Sequence, residues 1–498
     1  MKSASQPFNS ISNPQADSES PFIPMTPFHR ILTVGILAVC LVWIGVQQWI
    51  YPSPAGTMGW VFLALAGNFL VMLVPIFFYR SSYGWFHPLI FGIFLTLITH
   101  LRRVDTYIYG LQYHTALPGW DADRLTLLIA YELVLRAVSL IACYFGFFLI
   151  PSLGVPKIQF GQPRNLGFKM FLVVLFSAGV FAVFIQSRGG LSSHILSWEE
   201  GRSSALEGTA YWLAGIQFGV NACLVWLAMD RKATRQPLFW GCTVLSLAMM
   251  FLSGGSRSSV IYPMVMGLLV WLLRERKIAL GRLTLFALTG ILLIGLLGNF
   301  RASTYEGRIN WDALTGAAPT STTDDSAFTS GLTELTARGS VVAGVFPILA
   351  LVPEKVDFIH GSSYLALLTL PVPRAIWPEK PGMVDGRVGE AFYGVTYGIP
   401  PGPIGEAYWN FGIPGILLVF FLLGAFYKWL SEWFQQYAQQ PTVLVLYIIT
   451  LFQLAELSSS AILDWLLGLV PFLIILRLIG AIAFRRTNHE NQERSQTV

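Results

Sequence analysis

About twelve times along this 498-residue chain the sequence runs apolar for roughly 17 to 25 residues, enough for a helix to cross a hydrocarbon core about 30 Å thick. Such runs leave few choices of fold, because in lipid every backbone N–H and C=O must be satisfied within the chain, and a helix does that locally. They centre on residues 31–50, 57–79, 84–100, 125–149, 168–186, 208–229, 237–253, 259–273, 283–299, 411–429, 441–457 and 462–484. Hydrophobic residues at 54%, charged residues at 12% and a mean hydropathy of +0.59 exclude a water-soluble globule of this size. The expected fold is all-α, a polytopic transmembrane helical bundle.

Lys and Arg set the expected orientation, since they gather in cytoplasmic loops. With the N-terminus inside, the inner loops receive Arg80; Lys157, Arg164 and Lys169; Arg231, Lys232 and Arg235; Arg274, Arg276, Lys277 and Arg282; Lys428; and Arg485 and Arg486. Both termini then lie in the cytoplasm, and the net charge of +5 is a topology signal rather than a sign of nucleic-acid binding. Residues 1–29, rich in Ser, Pro and Asn, read as a disordered cytoplasmic tail, 30–485 as the transmembrane domain and 486–498 as a second cytoplasmic tail. Cys40, Cys143, Cys223 and Cys242 all fall inside apolar runs, so they offer neither a disulfide framework nor a CxxC metal site.

This orientation leaves one long segment, 300–410, on the outer side between the ninth and tenth spans, and a long insertion beside a membrane is usually functional. Basic residues assigned to the outer side are nearly all arginine, among them Arg188, Arg257, Arg301, Arg374 and Arg387, against only Lys355 and Lys380. A planar, permanently charged fork suits phosphate or carboxylate, so the outer face is expected to bind an anion. Arg257 lies in SGGSRSS (253–259), a turn between two spans whose glycines allow close backbone approach; the alternative is an arginine snorkelling to headgroups. Arg188 lies in the similar SRGGLSS (187–193), otherwise a plain polar loop. In PVPRAIWPEKP (371–381) four prolines fix the backbone around Arg374, Trp377 and Lys380; the alternative is a stiff connector over helix ends. GPIGEAYWNFGIPG (402–415) places Glu406 just before the tenth span, where a carboxylate suits acid or base work. Tyr408 and Trp409 in that stretch could stack on a sugar or join the interfacial aromatic belt.

Other charges have structural readings. Glu132 and Arg136, four apart in one span, are expected to pair on a helix face, and the DAD of Asp121 and Asp123 to cap the helix that follows. His194 and His360 have no partner at metal spacing, although His360 opens an HGSSY turn and could serve as an acid or base. The chain has no GxxxxGK[ST], HExxH, GxSxG or CxxC motif, which removes the simple readings of nucleotide-driven pump, zinc protease and nucleophile-elbow hydrolase.

The order SRGGLSS, SGGSRSS, HGSSYLALLTLPVPRAIWPEKP and GEAYWNFGIPG resembles the bacterial oligosaccharide repeat unit polymerases, the Wzy-type O-antigen and exopolysaccharide polymerases, over roughly residues 185–420. The resemblance implies a GT-C-like membrane glycosyltransferase in the bacterial inner membrane, with residues 300–410 forming a periplasmic active-site loop. Such an enzyme polymerises undecaprenyl-diphosphate-linked oligosaccharide on the periplasmic face, without metal, nucleotide-sugar or other cofactor. Implied partners are the lipid-linked oligosaccharide, the bilayer, a repeat-unit flippase and a chain-length regulator.

A departing diphosphate needs fixed positive charge, and an attacking hydroxyl needs a base. The expected catalytic residues are therefore Glu406, Arg374 and Arg257. Arg188, Arg301, Trp377, Lys380, Tyr408 and His360 are expected to bind substrate, and Asp385 is a lesser candidate base. Two alternatives stay open at this point. One is an O-antigen ligase, for which His360 would be the loop histidine; the other is a glycolipid flippase, which the lack of an internal repeat and the scarcity of intramembrane charge disfavour.

Overall fold

The computed structural model describes residues 21–483, less 51–54, 78–83, 102, 112–113, 153, 155–158, 162, 201–208, 278–279, 305–343, 370–371, 373–375, 378, 380–381 and 455–456. Among the described residues the chain is all-α apart from one two-residue antiparallel pair. Its helices are α1 (Pro27–Ile50), α2 (Met58–Phe77), α3 (Pro88–Leu101), α4 (Val104–Tyr109), α5 (Ala122–Leu149), α6 (Leu166–Ser187), α7 (Leu191–Leu196), α8 (Ala210–Met229) and α9 (Pro237–Gly254). Then follow α10 (Ser258–Glu275), α11 (Leu280–Thr304), α12 (Val345–Leu351), α13 (Ser362–Thr369), α14 (Val384–Val388), α15 (Gly402–Tyr437), α16 (Pro441–Gln453) and α17 (Ser459–Leu478). Strands β1 (Gln159–Phe160) and β2 (Ile482–Ala483) pair with Gln159 opposite Ala483.

Among the described residues ten helices are long and apolar enough to cross a membrane, so the protein is a multi-pass membrane protein by helix length and hydropathy. The expected spans at 84–100 and 441–457 instead form α3 and α16, of 14 and 13 residues. At 1.5 Å per residue these are about 20 Å long, short of a hydrocarbon core. Each is cut by something the apolar pattern does not show. Beyond α3 the chain turns to bring Arg103 inward, and beyond α16 it turns to deliver Ser459 to Glu406. Residues 22–25, assigned to a tail by their polar neighbours, pack on the bundle: Phe22 lies 5.0 Å from the His87 ring and 5.5 Å from Phe434.

Helix ends follow local chemistry. Asp121 caps α5 by accepting the Arg124 N–H at 2.7 Å, as the DAD reading expects. Pro237 and Pro441 open α9 and α16, and Gly255 closes α9 in the left-handed region. Contacts between connections fall into two sets. At one end Thr57 bonds to Asp123, Gln48 to the Tyr107 carbonyl and Glu406 to Ser459. At the other, basic side chains cover helix C-terminal carbonyls: Lys428 reaches Ile150 O at 2.6 Å, Lys169 reaches Ile479 O at 3.2 Å, and Arg274 reaches Leu227 O.

Among the described residues two large apolar cores divide the bundle, beside three smaller clusters: one is built on α1, α2, α3, α5 and the first half of α15, the other on α6, α8, α9, α10, α16 and α17. The 36-residue α15 enters both and packs closely along α5. Glycines make that approach possible, since a Cβ at Gly424 would strike the Cys143 carbonyl and one at Gly146 the Phe421 carbonyl. Backbone cannot yield as a side-chain end can. Gly424→Val is therefore expected to destabilise the protein by about 3 kcal/mol or more, visible as a lowered unfolding temperature in detergent; an unchanged temperature would refute this packing.

Buried beside α5 is a polar network. Glu132, fully buried, bonds to Arg136 at 2.6 Å, as its spacing suggests, and also to Arg103 at 3.0 Å. One turn of chain away His100 joins Tyr107 at 2.8 Å and Asn68 at 2.9 Å.

Candidate active site

Glu406 was expected in a loop ahead of a span. It stands instead inside α15, which begins nine residues before the expected span and continues through a kink. Phe411 and Gly412 leave helical geometry (Gly412 φ 65°), and Pro414 lacks the N–H that would continue the ladder. The segment 402–411 is thus a short helix set at its own angle above the main span. Its buried face carries Glu406 and, one turn on, Asn410.

Three other pieces of chain close on that face. Asn410 Oδ1 accepts the Gly361 N–H at 2.7 Å, and Asn410 Nδ2 donates to Ser363 Oγ at 2.9 Å, which fixes the HGSSY turn against α15. His360 and Gly361 are both left-handed (φ 46° and 83°), and this sharp reversal starts α13 with Ser362, Ser363 and Tyr364 turned toward the carboxylate. From α14, Arg387 donates to Ser362 Oγ at 2.8 Å while its guanidinium lies 5.6 Å over the Trp409 ring. Trp409 is itself held by a bond to the Asp357 carbonyl and by Phe392 at 5.1 Å. The N-terminus of α17 completes the site: Ser458 caps it, the Ser459 N–H donates to Glu406 Oε2 at 2.8 Å, and Ser460 Oγ donates to Asp385 Oδ1 at 3.0 Å.

The cluster therefore holds two carboxylates, a guanidinium, a phenol, a carboxamide and several serine hydroxyls. Around Glu406, its own Oε1, the Tyr364 hydroxyl and Ser459 Oγ are buried and make no hydrogen bond of good geometry among the described residues, although the Ser363 and Ser459 side chains lie close enough to act on the Glu406 carboxylate. Buried polar atoms are seldom left so, and a polar substrate group would satisfy them. Burial raises the Asp385 carboxyl above its ordinary value, with the Ser460 bond acting the other way. Burial also pushes the Tyr364 hydroxyl far up, so it stays neutral. The Arg387 guanidinium is lowered by burial, and the charge of Glu406 counteracts this. A buried carboxylate with one open oxygen beside a stacked guanidinium can accept a proton from a hydroxyl while positive charge stands next to a departing anion.

The other expected site residues are placed as follows. His360 is exposed at the turn, 6.2 Å from the Phe358 ring. Tyr408, two residues from Glu406 on α15, lies close to Tyr131 of α5. Trp377 is exposed. Arg374, Lys380 and the Arg301 side chain lie outside the described residues. Arg188 and Arg257 share a second locus, where His194 Nε2 joins the two Arg/Gly/Ser turns by a 3.1 Å bond to Ser253 O and Arg188 lies 5.9 Å over Phe184. Between the loci runs α16, packed on α17 and on α10, with Phe452 against Tyr262 at 5.4 Å. Sequence reading missed Asn410, Tyr364, Ser459 and Ser460 and gave Arg387 no role. The three consecutive serines at 458–460, opening an apolar span, were the available signal.

Fold and cluster together define a multi-span helical membrane protein with a polar, largely buried site at one end of the bundle. The chain belongs to the family described as Domain of unknown function (DUF8712), which it matches over residues 189–454. That stretch contains Arg257, the HGSSY turn, Asp385, Arg387 and Glu406, and stops just short of the serines of α17. No curated protein and no solved structure matches the chain.

Proposed function

We propose that this protein is a GT-C-like membrane glycosyltransferase of the Wzy type that polymerises polyprenyl-diphosphate-linked oligosaccharide units. The observation that carries the reading is the buried Glu406 carboxylate with its open oxygen beside Arg387. An acceptor sugar hydroxyl attacks the anomeric carbon of the lipid-linked chain and its proton passes to Glu406. The bond from that carbon to the diphosphate oxygen breaks, and Arg387, with Arg374 as a further candidate, neutralises the leaving group. Tyr364 and the serines of α13 and α17 orient the sugars by hydrogen bonds.

The reading places the protein in the bacterial cytoplasmic membrane. The end bearing Lys169, Arg274 and Lys428 faces the cytoplasm and the Glu406 cluster faces the periplasm, following the distribution of basic residues. A repeat-unit flippase would supply the donor, and a chain-length regulator would be a further partner.

The test is a gel of surface polysaccharide and lipid-linked intermediates from cells lacking the protein, complemented with wild type, Arg387→Ala or Arg387→Lys. Single units on the carrier without long chains, restored by wild type, are expected. Arg387→Ala is expected to lower chain formation by about 10²- to 10³-fold, with Arg387→Lys recovering only part because the planar fork and its stacking on Trp409 are lost. Long lipid-linked chains left untransferred would replace this reading with a ligase, and units trapped on the cytoplasmic face would replace it with a flippase.

A further inference from the structure

Helix α5 is longer than a membrane needs. Its 28 residues span about 42 Å, about 12 Å more than a hydrocarbon core. The excess lies at the start of the helix, where Asp121, Asp123 and Arg124 are exposed; at the other end the exposed residues are Phe145, Phe148 and Leu149, which suit lipid. Roughly the first two turns of α5 therefore stand clear of the hydrocarbon, at the same end of the bundle as the bond between Glu406 and Ser459.

This protruding part of the chain bears an open hollow of about 330 Å³, lined by Trp120, Arg124, Leu127, Leu128 and Tyr131. The five positions recur at intervals of one helical turn, so one side of α5 presents an indole, a guanidinium and a phenol around two leucines. The turn before the helix fixes the indole. The Leu117 N–H donates to His114 O at 3.0 Å, the Trp120 N–H donates to Leu117 O at 3.3 Å, and Gly119 supplies the left-handed backbone (φ 82°) that the reversal requires.

The hollow adjoins the Glu406 cluster. Tyr131 lies close to Tyr408, two residues from Glu406 on α15. The turn that carries Trp120 also packs on the cluster: Ala116 joins the apolar patch around Trp409, and His114 Nε2 lies 3.3 Å from the Tyr393 hydroxyl. A sugar ring has an apolar face of C–H groups and a rim of hydroxyls, so it can lie on an indole while a guanidinium and a phenol bond its rim. A lipid tail has no use for the last two groups, and a small inorganic anion has none for the first.

We propose that this hollow is a glycan subsite that holds the second repeat unit of the growing chain while the first lies at Glu406. This rests on the glycosyltransferase reading and deepens it. The chain is then gripped beyond the reacting bond, and a longer chain binds better than a single unit.

The experiment is a calorimetric titration of the purified full-length protein with carrier-free oligosaccharides of one and of two repeat units, cut from the polysaccharide of the cells that carry it. The two-unit probe is expected to bind at least about tenfold more tightly than the one-unit probe. Trp120→Ala is expected to abolish that advantage and Trp120→Phe to keep part of it. Arg124→Gln, at an exposed position, is expected to reduce it and serves if Trp120→Ala does not fold. Equal binding of the two probes to wild type would overturn the proposal. So would an undiminished advantage in folded Trp120→Ala or Arg124→Gln protein, which would assign these side chains to the interfacial aromatic belt. Binding is read without polymer synthesis, so length-dependent binding by a protein whose loss leaves chain formation intact refutes the glycosyltransferase reading alone. Chains that depend on the protein, with both probes bound equally, refute the subsite alone.

Discussion

On the proposed glycosyltransferase reading, Glu406→Gln is expected to reduce polymer formation by about 10²- to 10⁴-fold, the usual contribution of a positioned general base, while the protein still folds and inserts. The amide is nearly the same size and can still accept the Ser459 N–H through its oxygen, so the 2.8 Å contact that joins α15 to α17 survives. What it loses is the ability to take a proton and the negative charge beside Arg387. The measurement is polysaccharide chain length on a gel, with the amount of intact protein followed by size-exclusion chromatography in detergent. A folded Glu406→Gln protein with normal chains would remove Glu406 from the chemistry. Glu406→Ala is a poorer probe, because it also empties a fully buried position.

Replacing Glu132 by Ala should have the largest effect on stability. Its carboxylate lies between Arg103 at 3.0 Å and Arg136 at 2.6 Å, and none of its surface reaches solvent. Without it two buried guanidinium groups lose the carboxylate they share. Removing one partner of a buried ion pair typically costs about 3–5 kcal/mol, and here a single carboxylate serves two cations. A sharply lowered unfolding temperature in detergent, or loss of the protein from the membrane, is the expected result. A Glu132→Ala protein as stable as wild type would show that the network is not holding α5 to the chain around Arg103.

The two effects illustrate how differently the molecule's features could be read in advance. The Glu132–Arg136 pair was legible because four residues on one helix is a fixed distance, and the Asp121 cap because N-terminal chemistry is local. Arg103 as the third member was not, since 29 residues and the turn after α3 separate it from Glu132. Glu406 was identified as a candidate from its place at the edge of an apolar run. Its neighbours were not, because Ser459 N–H and Asp385 reach the site from segments that only packing brings together. Where Tyr408 points was not legible either: residues two apart on a helix face different ways, and because α15 begins early Tyr408 comes close to Tyr131 of α5.

The sequence by itself determined that the chain is an all-α membrane protein, where most of its long helices lie, and which connections are basic. All of these follow from short-range rules, the solvation of backbone and side chains along one stretch of chain. The tertiary structure decided that two apolar runs stop short of spanning, that α15 bends at Gly412, and that HGSSY, α14, α15 and α17 share one buried carboxylate. Those outcomes depend on which backbones can approach and which buried polar atoms find partners, and neither is a property of any single segment.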